Sequence, residues 1–446
     1  MGLGTFQLQG DCQMAATAEV GAALRRAREH YTRKNPGSLE QFEKACMVFP
    51  GGSTRTSLFY EPFPLTMVRG AGAHLWDTDG HEYVDFLGEY TAGLFGHTDP
   101  KIGEAIRSAF DSGIDLGAHN LHEATLGRLI QARFPSMELL RFTNSGTEAN
   151  LMAISAARAI TKRCKILVFD GSYHGGVFSF AGGGNVINAP YEFLVAEYND
   201  VEQTLGLLDA NANELAAVLI EPMMGAGGCI PAERQFLQAL RDRTLEHGIL
   251  LVFDEVMTSR LWPGGLQEMH GIRPDVTTLG KYIGGGMSCG AFGGRADIMS
   301  HFDVRREGGF PHAGTFNNNV LTMAAGVAGM ELFTAESTKD LNARGEQLRR
   351  RLNDLARGKG ANMQFTGIGS MMNMHLRRAP IRNASDVAAS DLSLRQLLFL
   401  ELVGAGIWCG CQGMFVLSLP STEADCDALI AGVAGVIDAH SPLLVG

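Results

Sequence analysis

Short apolar runs alternate with longer stretches of helical periodicity from about residue 91 to residue 319. The runs Leu139–Thr143, Lys165–Asp170, Ala216–Glu221, Ile249–Glu255 and Val276–Leu279 read as buried strands, with helices over about Thr147–Arg163 and Glu233–His247. Apolar strands joined by helices predict a mostly parallel sheet covered on both faces. Ahead of this block, residues 21–48 read as helical and stop before Pro50-Gly51-Gly52. Alternating pieces from Leu65 to Phe86 surround the turn Asp77-Thr78-Asp79-Gly80, the pattern of a hairpin. After about Asn319 the pattern predicts a long helix, a strand over Gly367–His375, a helix over Leu392–Val403, a strand over Phe415–Leu419 and a last helix from Glu423 to Ala439. Residues 1–20 are small and polar without clear periodicity, as in a frayed arm or a processed start. The expected architecture is α/β. A large domain spans 91–325, and a smaller α+β domain is built from both chain ends, 1–90 with its N-terminal arm and 326–446.

Charge narrows the function. Lys plus Arg is 37 against 48 Asp plus Glu, a net charge of −11. That balance argues against nucleic acid or an anionic membrane as partner, since either is repelled at long range. No apolar run of eighteen residues offers a membrane span. Charged residues are only 19% of the chain, below the roughly 25% usual for soluble domains, which fits surface hidden between subunits. Glycine is 56 of 446 residues and gathers at a few turns, as where backbone must approach a ligand closely. The eight cysteines make no C-x-x-C pair and follow no secretory signal, so a reduced cytoplasmic chain is expected. Cys409-Gly410-Cys411 reads as two small residues of a strand-like run rather than half a metal site, and no metal is expected.

Ligands of open α/β sheets bind outside the carboxyl ends of the strands, and candidate chemistry falls there. Ser145, Gly146 and Thr147 join a strand to a helix N-terminus and offer donors to an anion, although a serine there is usually just a cap. Asp254 ends the run Ile249–Phe253; with Glu255 it reads either as a working carboxylate or as a helix cap or ion pair. Lys281 lies between an apolar run and Gly284-Gly285-Gly286, where desolvation favours a nucleophilic amine. A snorkelling surface lysine is the plainer alternative. Taken together the order is informative. Pyridoxal phosphate needs a phosphate cradle, an aromatic over its ring, an aspartate at the ring nitrogen and a lysine for its aldehyde. Ser145-Gly146-Thr147, Tyr173-His174-Gly175, Asp254 and Lys281 supply them in that order.

Over about residues 35–440 the chain resembles the class III aminotransferases of the fold-type I pyridoxal-phosphate superfamily. The stretches carrying the resemblance are Asn144–Asn150, Tyr173–Gly176, Glu221–Pro222, Phe253–Val256 and Gly280–Gly286. It implies a Schiff base of pyridoxal 5'-phosphate with Lys281, and Asp254 holding the ring nitrogen protonated. It also implies Tyr173 and Val256 on the two ring faces, Ser145, Gly146 and Thr147 at the phosphate, and Glu221 in the cofactor site. His174 reads as a supporting residue. Thr315 in His312–Asn317 would reach the phosphate of a neighbouring subunit, which makes the expected unit a homodimer with active sites at its interface.

Within the class, Val48–Gly52 and Trp76–Gly80 resemble the glutamate-1-semialdehyde aminomutase branch. Arg55–Tyr60, Glu89–Gly93, Met257–Leu261, Gly314–Asn319 and Gln364–Ser370 more narrowly resemble the β-amino-acid (β-phenylalanine) aminotransferases. The latter implies transfer of the amino group of a β-amino acid, aromatic ones such as (S)-β-phenylalanine included, to a 2-keto acid. Arg55 is the expected clamp for the donor carboxylate, through two parallel hydrogen bonds, and Phe59 and Tyr90 are candidates for an aryl pocket. Gln412 stands where the resemblance allows an arginine for the keto acid. An amide cannot pair a carboxylate's charge, so pyruvate competes with 2-oxoglutarate as acceptor, and Arg260 or a shifted Arg55 is the candidate to compensate. The alternatives are an aminomutase, against which Arg55 counts, or a class III aminotransferase for another amine or amino acid. A dinucleotide oxidoreductase is disfavoured because no G-x-G-x-x-G turn joins the early strand and helix.

Overall fold

The computed structural model describes residues 4–388 and 391–445, with side chains from residue 18 onward. Seven strands form the central sheet. In spatial order they are Leu139–Thr143, Gly290–Gly294, Val276–Gly280, Leu250–Asp254, Leu215–Ile220, Lys165–Phe169 and Glu192–Ala196. All neighbouring pairs are parallel except those made by Gly290–Gly294, which runs antiparallel to both its neighbours. The three central strands Leu215–Ile220, Leu250–Asp254 and Val276–Gly280 are buried along their whole length. That is why the first two read as apolar runs rather than as alternations, while two buried threonines interrupt the third.

The strand Gly290–Gly294 was not expected, because glycine weakens strands and gives no hydrophobic signal. The fold needs it bare. A Cβ on Gly290 would lie 2.2 Å from the carbonyl oxygen of Ser145. The glycine strand therefore lets the Ser145 turn sit directly against the sheet.

A four-stranded sheet pairs Met67–Ala71, His74–Asp77 and Glu82–Asp85 from the N-terminal part with Ile407–Trp408. Ile407 lies parallel beside Val84. A second, three-stranded sheet comprises Gln364–Ile368, Met371–His375 and Met414–Val416. Here the single strand expected over Gly367–His375 is instead the second arm of a hairpin, which turns at Gly369 with φ of 54°. The long helix expected after Asn319 is two, Val320–Leu332 and Ala335–Gly358. Phe333 leaves helical geometry, and the Thr334 side chain caps the second helix by accepting from Ser337 N. At the other end the first helix runs Gly4–Lys34, so most of the segment read as an arm is helical. Among the described residues no helix is long and apolar enough to cross a membrane.

Candidate active site

The sheet delivers the predicted residues to one place because its parallel strands end together. Asp254 closes one strand, Lys281 follows the next, Glu221 follows a third, and the Ser145 turn follows Leu139–Thr143. Contacts tie these ends together. A Cβ on Gly146 would stand 2.8 Å from the methyls of Val256, and one on Gly175 would meet Thr147 Oγ1 at 2.2 Å. The Gly146, Val256 and Gly175 segments are thus in van der Waals contact, and only glycine leaves room for it.

Asp254 is buried and fully provided with partners on its far side. Asn150 Nδ2 donates to Oδ2 at 2.8 Å and His174 Nδ1 donates to the same oxygen at 2.8 Å. Asn150 is itself fixed, since its Oδ1 accepts from Thr278 Oγ1 at 2.7 Å and its amide also donates to the His174 carbonyl. Oδ1 of Asp254 accepts from Val256 N at 3.0 Å and keeps a lone pair for one more donor. Neighbouring Glu255 takes the plainer role instead. It accepts from Thr258 Oγ1 and from the backbone N–H groups of Leu266 and Gln267 at a helix start.

Lys281 has a φ of 57°, a left-handed conformation rare outside glycine and common where function constrains the backbone. Burial pushes its amine below the ordinary lysine range. Asp254, Glu89 and Glu221 pull it back up, while Arg55 pushes it further down. Glu221 is buried and accepts from Tyr173 N at 3.1 Å and Gly225 N at 3.0 Å. Burial raises its carboxyl above the usual range, with Asp254 adding to the rise and His174 opposing it. Tyr173 itself stays 45% exposed.

These residues fit pyridoxal phosphate. The open lone pair of Asp254 Oδ1 suits a protonated ring nitrogen, and the amine of Lys281 suits its aldehyde. Ser145 Oγ caps its own helix by accepting from Glu148 N at 3.2 Å. The backbone N–H groups of Gly146 and Thr147 at that helix start have no intrahelical acceptor, which is the arrangement that binds phosphate.

A second group faces Lys281. Arg55 forms an ion pair with Glu89, both side chains about half exposed, and its guanidinium lies 5.9 Å from the centroid of the Tyr90 ring. The field of Arg55 acts on both Tyr173 and Lys281. Tyr90 donates to the Ser57 carbonyl at 2.7 Å, and Gln412 lies within hydrogen-bonding reach of it. Gln412 Oε1 also accepts from Cys411 Sγ at 3.4 Å. Phe59 packs on Phe42 and is 42% exposed, so it is not plain core.

One expectation changes. Arg260 is fully buried, with its donors on Ser370 Oγ and the carbonyls of Thr91 and Leu417. With no exposed surface, it cannot reach a keto acid. Thr315 lies on an exposed segment beside a cavity of about 670 Å³ lined by Leu116, His119, Asn120 and Phe316. The nearby Asn317 accepts from Asn144 Nδ2 at 3.0 Å, next to the Ser145 turn. Two residues were not singled out from sequence, Asn150 and Glu89, though both lie inside motifs that were.

The family model described as aminotransferase class-III matches residues 57–433. The chain is 54% identical to the beta-phenylalanine transaminase of Variovorax paradoxus over 96% of this chain and 98% of that one. It superposes on a crystal structure of a beta-phenylalanine aminotransferase from that organism with a TM-score of 0.94, covering 96% and 99% of the two chains at 54% identity. A glutamate-1-semialdehyde 2,1-aminomutase of Aquifex aeolicus is 36% identical over 82% of this chain and 90% of its own length.

Proposed function

The chain belongs to the class III aminotransferases, enzymes of pyridoxal 5'-phosphate, and from that premise we propose that it transaminates β-amino acids, aromatic ones such as (S)-β-phenylalanine among them, with a 2-keto acid as acceptor. The observation that carries the substrate reading is the placement of Arg55. Its guanidinium is near enough to push the Lys281 amine down, and it is paired with Glu89, a carboxylate that a donor's own carboxylate can replace. A β-amino acid carries its carboxylate one carbon beyond the reacting carbon, so its anchor must stand off from the amine. The relative from Variovorax paradoxus supports the same substrate class.

When bound, the cofactor supplies an electron sink for the carbon that loses its proton. The chain's residues divide the remaining work. Lys281 would hold the cofactor's aldehyde, and its Nζ is the group that would take the proton from the donor's β-carbon and hand it on. Its lowered basicity keeps a larger share of the amine unprotonated near neutrality. Asp254, held by Asn150 and His174, would keep the cofactor's ring nitrogen protonated. Glu221 fixes the backbone of Tyr173, whose ring would cover one cofactor face, with Val256 against the other. Gly146 and Thr147, with the Ser145 turn, would hold the phosphate. Arg55 clamps the donor carboxylate, with Tyr90 and Phe59 bordering its side chain and Gln412 meeting the keto acid.

The working unit in this reading is a homodimer. Leu116, Leu121 and Phe316 are exposed around the segment of Thr315, a surface that a second copy would cover while bringing Thr315 to its phosphate. We place the enzyme in the reducing cytoplasm, a reading supported by seven cysteines that are all unpaired among the described residues.

The test is the visible spectrum of the loaded enzyme on adding (S)-β-phenylalanine without acceptor. The yellow absorption should bleach, then return when pyruvate or 2-oxoglutarate is supplied. A yellow protein indifferent to the donor would sink the substrate reading and keep the class. Turnover of an amino substrate without any keto acid would favour an aminomutase instead.

A further inference from the structure

Arg260 is a cation of 0% exposure with no carboxylate paired to it among the described residues. Such a group is costly to bury and persists only where its hydrogen bonds serve something. Burial pulls its guanidinium down to about 9, with Tyr282 opposing. Its three nitrogens reach three separate segments: Nε to Ser370 Oγ at 3.3 Å, Nη1 to the Thr91 carbonyl at 3.3 Å, and Nη2 to the Leu417 carbonyl. Asn342 locks it from behind, donating to the Arg260 carbonyl at 2.9 Å and accepting from Ser370 N at 2.8 Å.

The segment it grips is unusual. Gly88, Glu89, Tyr90 and Thr91 have φ of 51°, 49°, 53° and 80° in succession. L-residues avoid this region because Cβ crowds the following carbonyl, and a β-branched residue such as Thr91 avoids it most. The turn's own bonds are Thr91 N to Leu87 O at 3.4 Å, Ala92 N to Glu89 O at 3.3 Å and Gly93 N to Gly88 O at 2.8 Å. Two of the three are long. A left-handed turn of three non-glycine residues needs outside support, and the Thr91 carbonyl receives it from Arg260.

We infer that Arg260 is a positioning residue for donor recognition: it clamps the left-handed turn Gly88–Thr91, which in turn presents Glu89 and Tyr90 beside Arg55. The recognition half of this inference rests on the substrate reading above; the clamp does not. Through Leu417 and Ser370 the same guanidinium ties the turn to the sheet that carries the Gln412 loop, so both ends of the substrate site share one support.

The test uses the cofactor-loaded enzyme with Arg260→Met and Arg260→Lys, each alone and combined with Thr91→Gly, which places a residue at ease at positive φ. Hydrogen–deuterium exchange of the peptide 87–93 reads the turn, and KM for (S)-β-phenylalanine reads recognition. In Arg260→Met both should rise by about tenfold or more, the loss of a charged group's hydrogen bond, with the cofactor absorption unchanged. Arg260→Lys should show smaller changes of the same sign, and Thr91→Gly should restore a large part of both. Unchanged exchange, a loosened turn with unchanged KM, changes that Thr91→Gly does not relieve, or loss of cofactor absorption in step with the turn would each overturn the inference. Should Arg260→Met fail to fold, Arg260→Lys decides on the same criteria. A loosened turn in an enzyme whose wild type ignores every β-amino acid would reject the substrate reading while upholding the clamp.

Discussion

Asp254 and Arg55 each carry a charge toward Lys281, but their surroundings differ in kind. Asp254 is buried, and the donors to its two oxygens come from Asn150, His174 and a backbone amide, with Thr278 fixing Asn150 in turn. Arg55 is 45% exposed and its partner Glu89 is 58% exposed. A buried charge that loses one partner keeps its full desolvation penalty, so the cofactor end of the site has a single arrangement. An exposed pair is held by about 0–1 kcal/mol, so a substrate carboxylate can take Glu89's place at little cost. The contrast suggests a division in which the reaction is built into the buried end and the choice of substrate is left to the adjustable end.

The largest effect should come where both ends converge. Lys281→Ala removes the residue assigned the proton transfer and the covalent hold, and turnover should fall by roughly 10²–10⁴-fold or more, with the yellow absorption of the bound cofactor altered. Full turnover with normal cofactor absorption would mean that another residue does this work.

Next comes the buried end. Asn150→Ala leaves Asp254 Oδ2 with His174 alone and strips partners from Thr278 and the His174 carbonyl. A cost of about 1–3 kcal/mol should appear as a loss of kcat up to about 100-fold and as a cofactor spectrum that shifts with pH differently from wild type. Donor KM should move little. A rise in KM without a spectral change would erase the distinction between the two ends.

At the exposed end the pattern should invert. Arg55→Ala should raise donor KM by about tenfold, the lower range for a charged hydrogen bond because solvent screens it, and leave the spectrum unchanged. Part of that loss comes from the stranded Glu89 carboxylate repelling the donor's. Adding Glu89→Ala should therefore recover some affinity. If the double variant binds the donor worse than Arg55→Ala alone, Glu89 contacts the substrate directly rather than standing in for it.

The same division governs what could be read from the chain. Each residue of the cofactor end follows an apolar run, and such runs are visible locally, so Ser145, Asp254 and Lys281 stood out beside their plainer alternatives. The serine's capping role and the cradle proved compatible, since the cap uses the side chain and leaves the backbone donors. The adjustable end gave weaker signals. Nothing in Gly88-Glu89-Tyr90-Thr91 announces a left-handed turn, because only its first residue is glycine. Arg260 looked like a spare cation since its carbonyl partners at Thr91 and Leu417 lie 169 and 157 residues away. The glycine strand Gly290–Gly294 was invisible for a related reason: its role is to make room, which leaves no side-chain pattern.

The smallest and most discriminating change concerns Gln412. Its amide oxygen accepts from Cys411 Sγ and the side chain borders Tyr90, so it already sits in the substrate group and needs no backbone change to reach it. Gln412→Arg would add a guanidinium able to take a carboxylate through two parallel bonds. The gain is reduced by the side-chain entropy of ordering an arginine, up to about 2 kcal/mol, and by Glu89, which offers the new cation a competing partner. A net preference of only a few fold should remain. It should fall on one acceptor alone: 2-oxoglutarate has a second carboxylate to spend on the added charge and pyruvate does not. The KM for 2-oxoglutarate should therefore drop by roughly three- to tenfold while that for pyruvate holds. An equal drop for both would place the new charge at the carboxylate they share, beside the reacting carbon. In that case Gln412 belongs to the catalytic end of the site rather than to the end that selects.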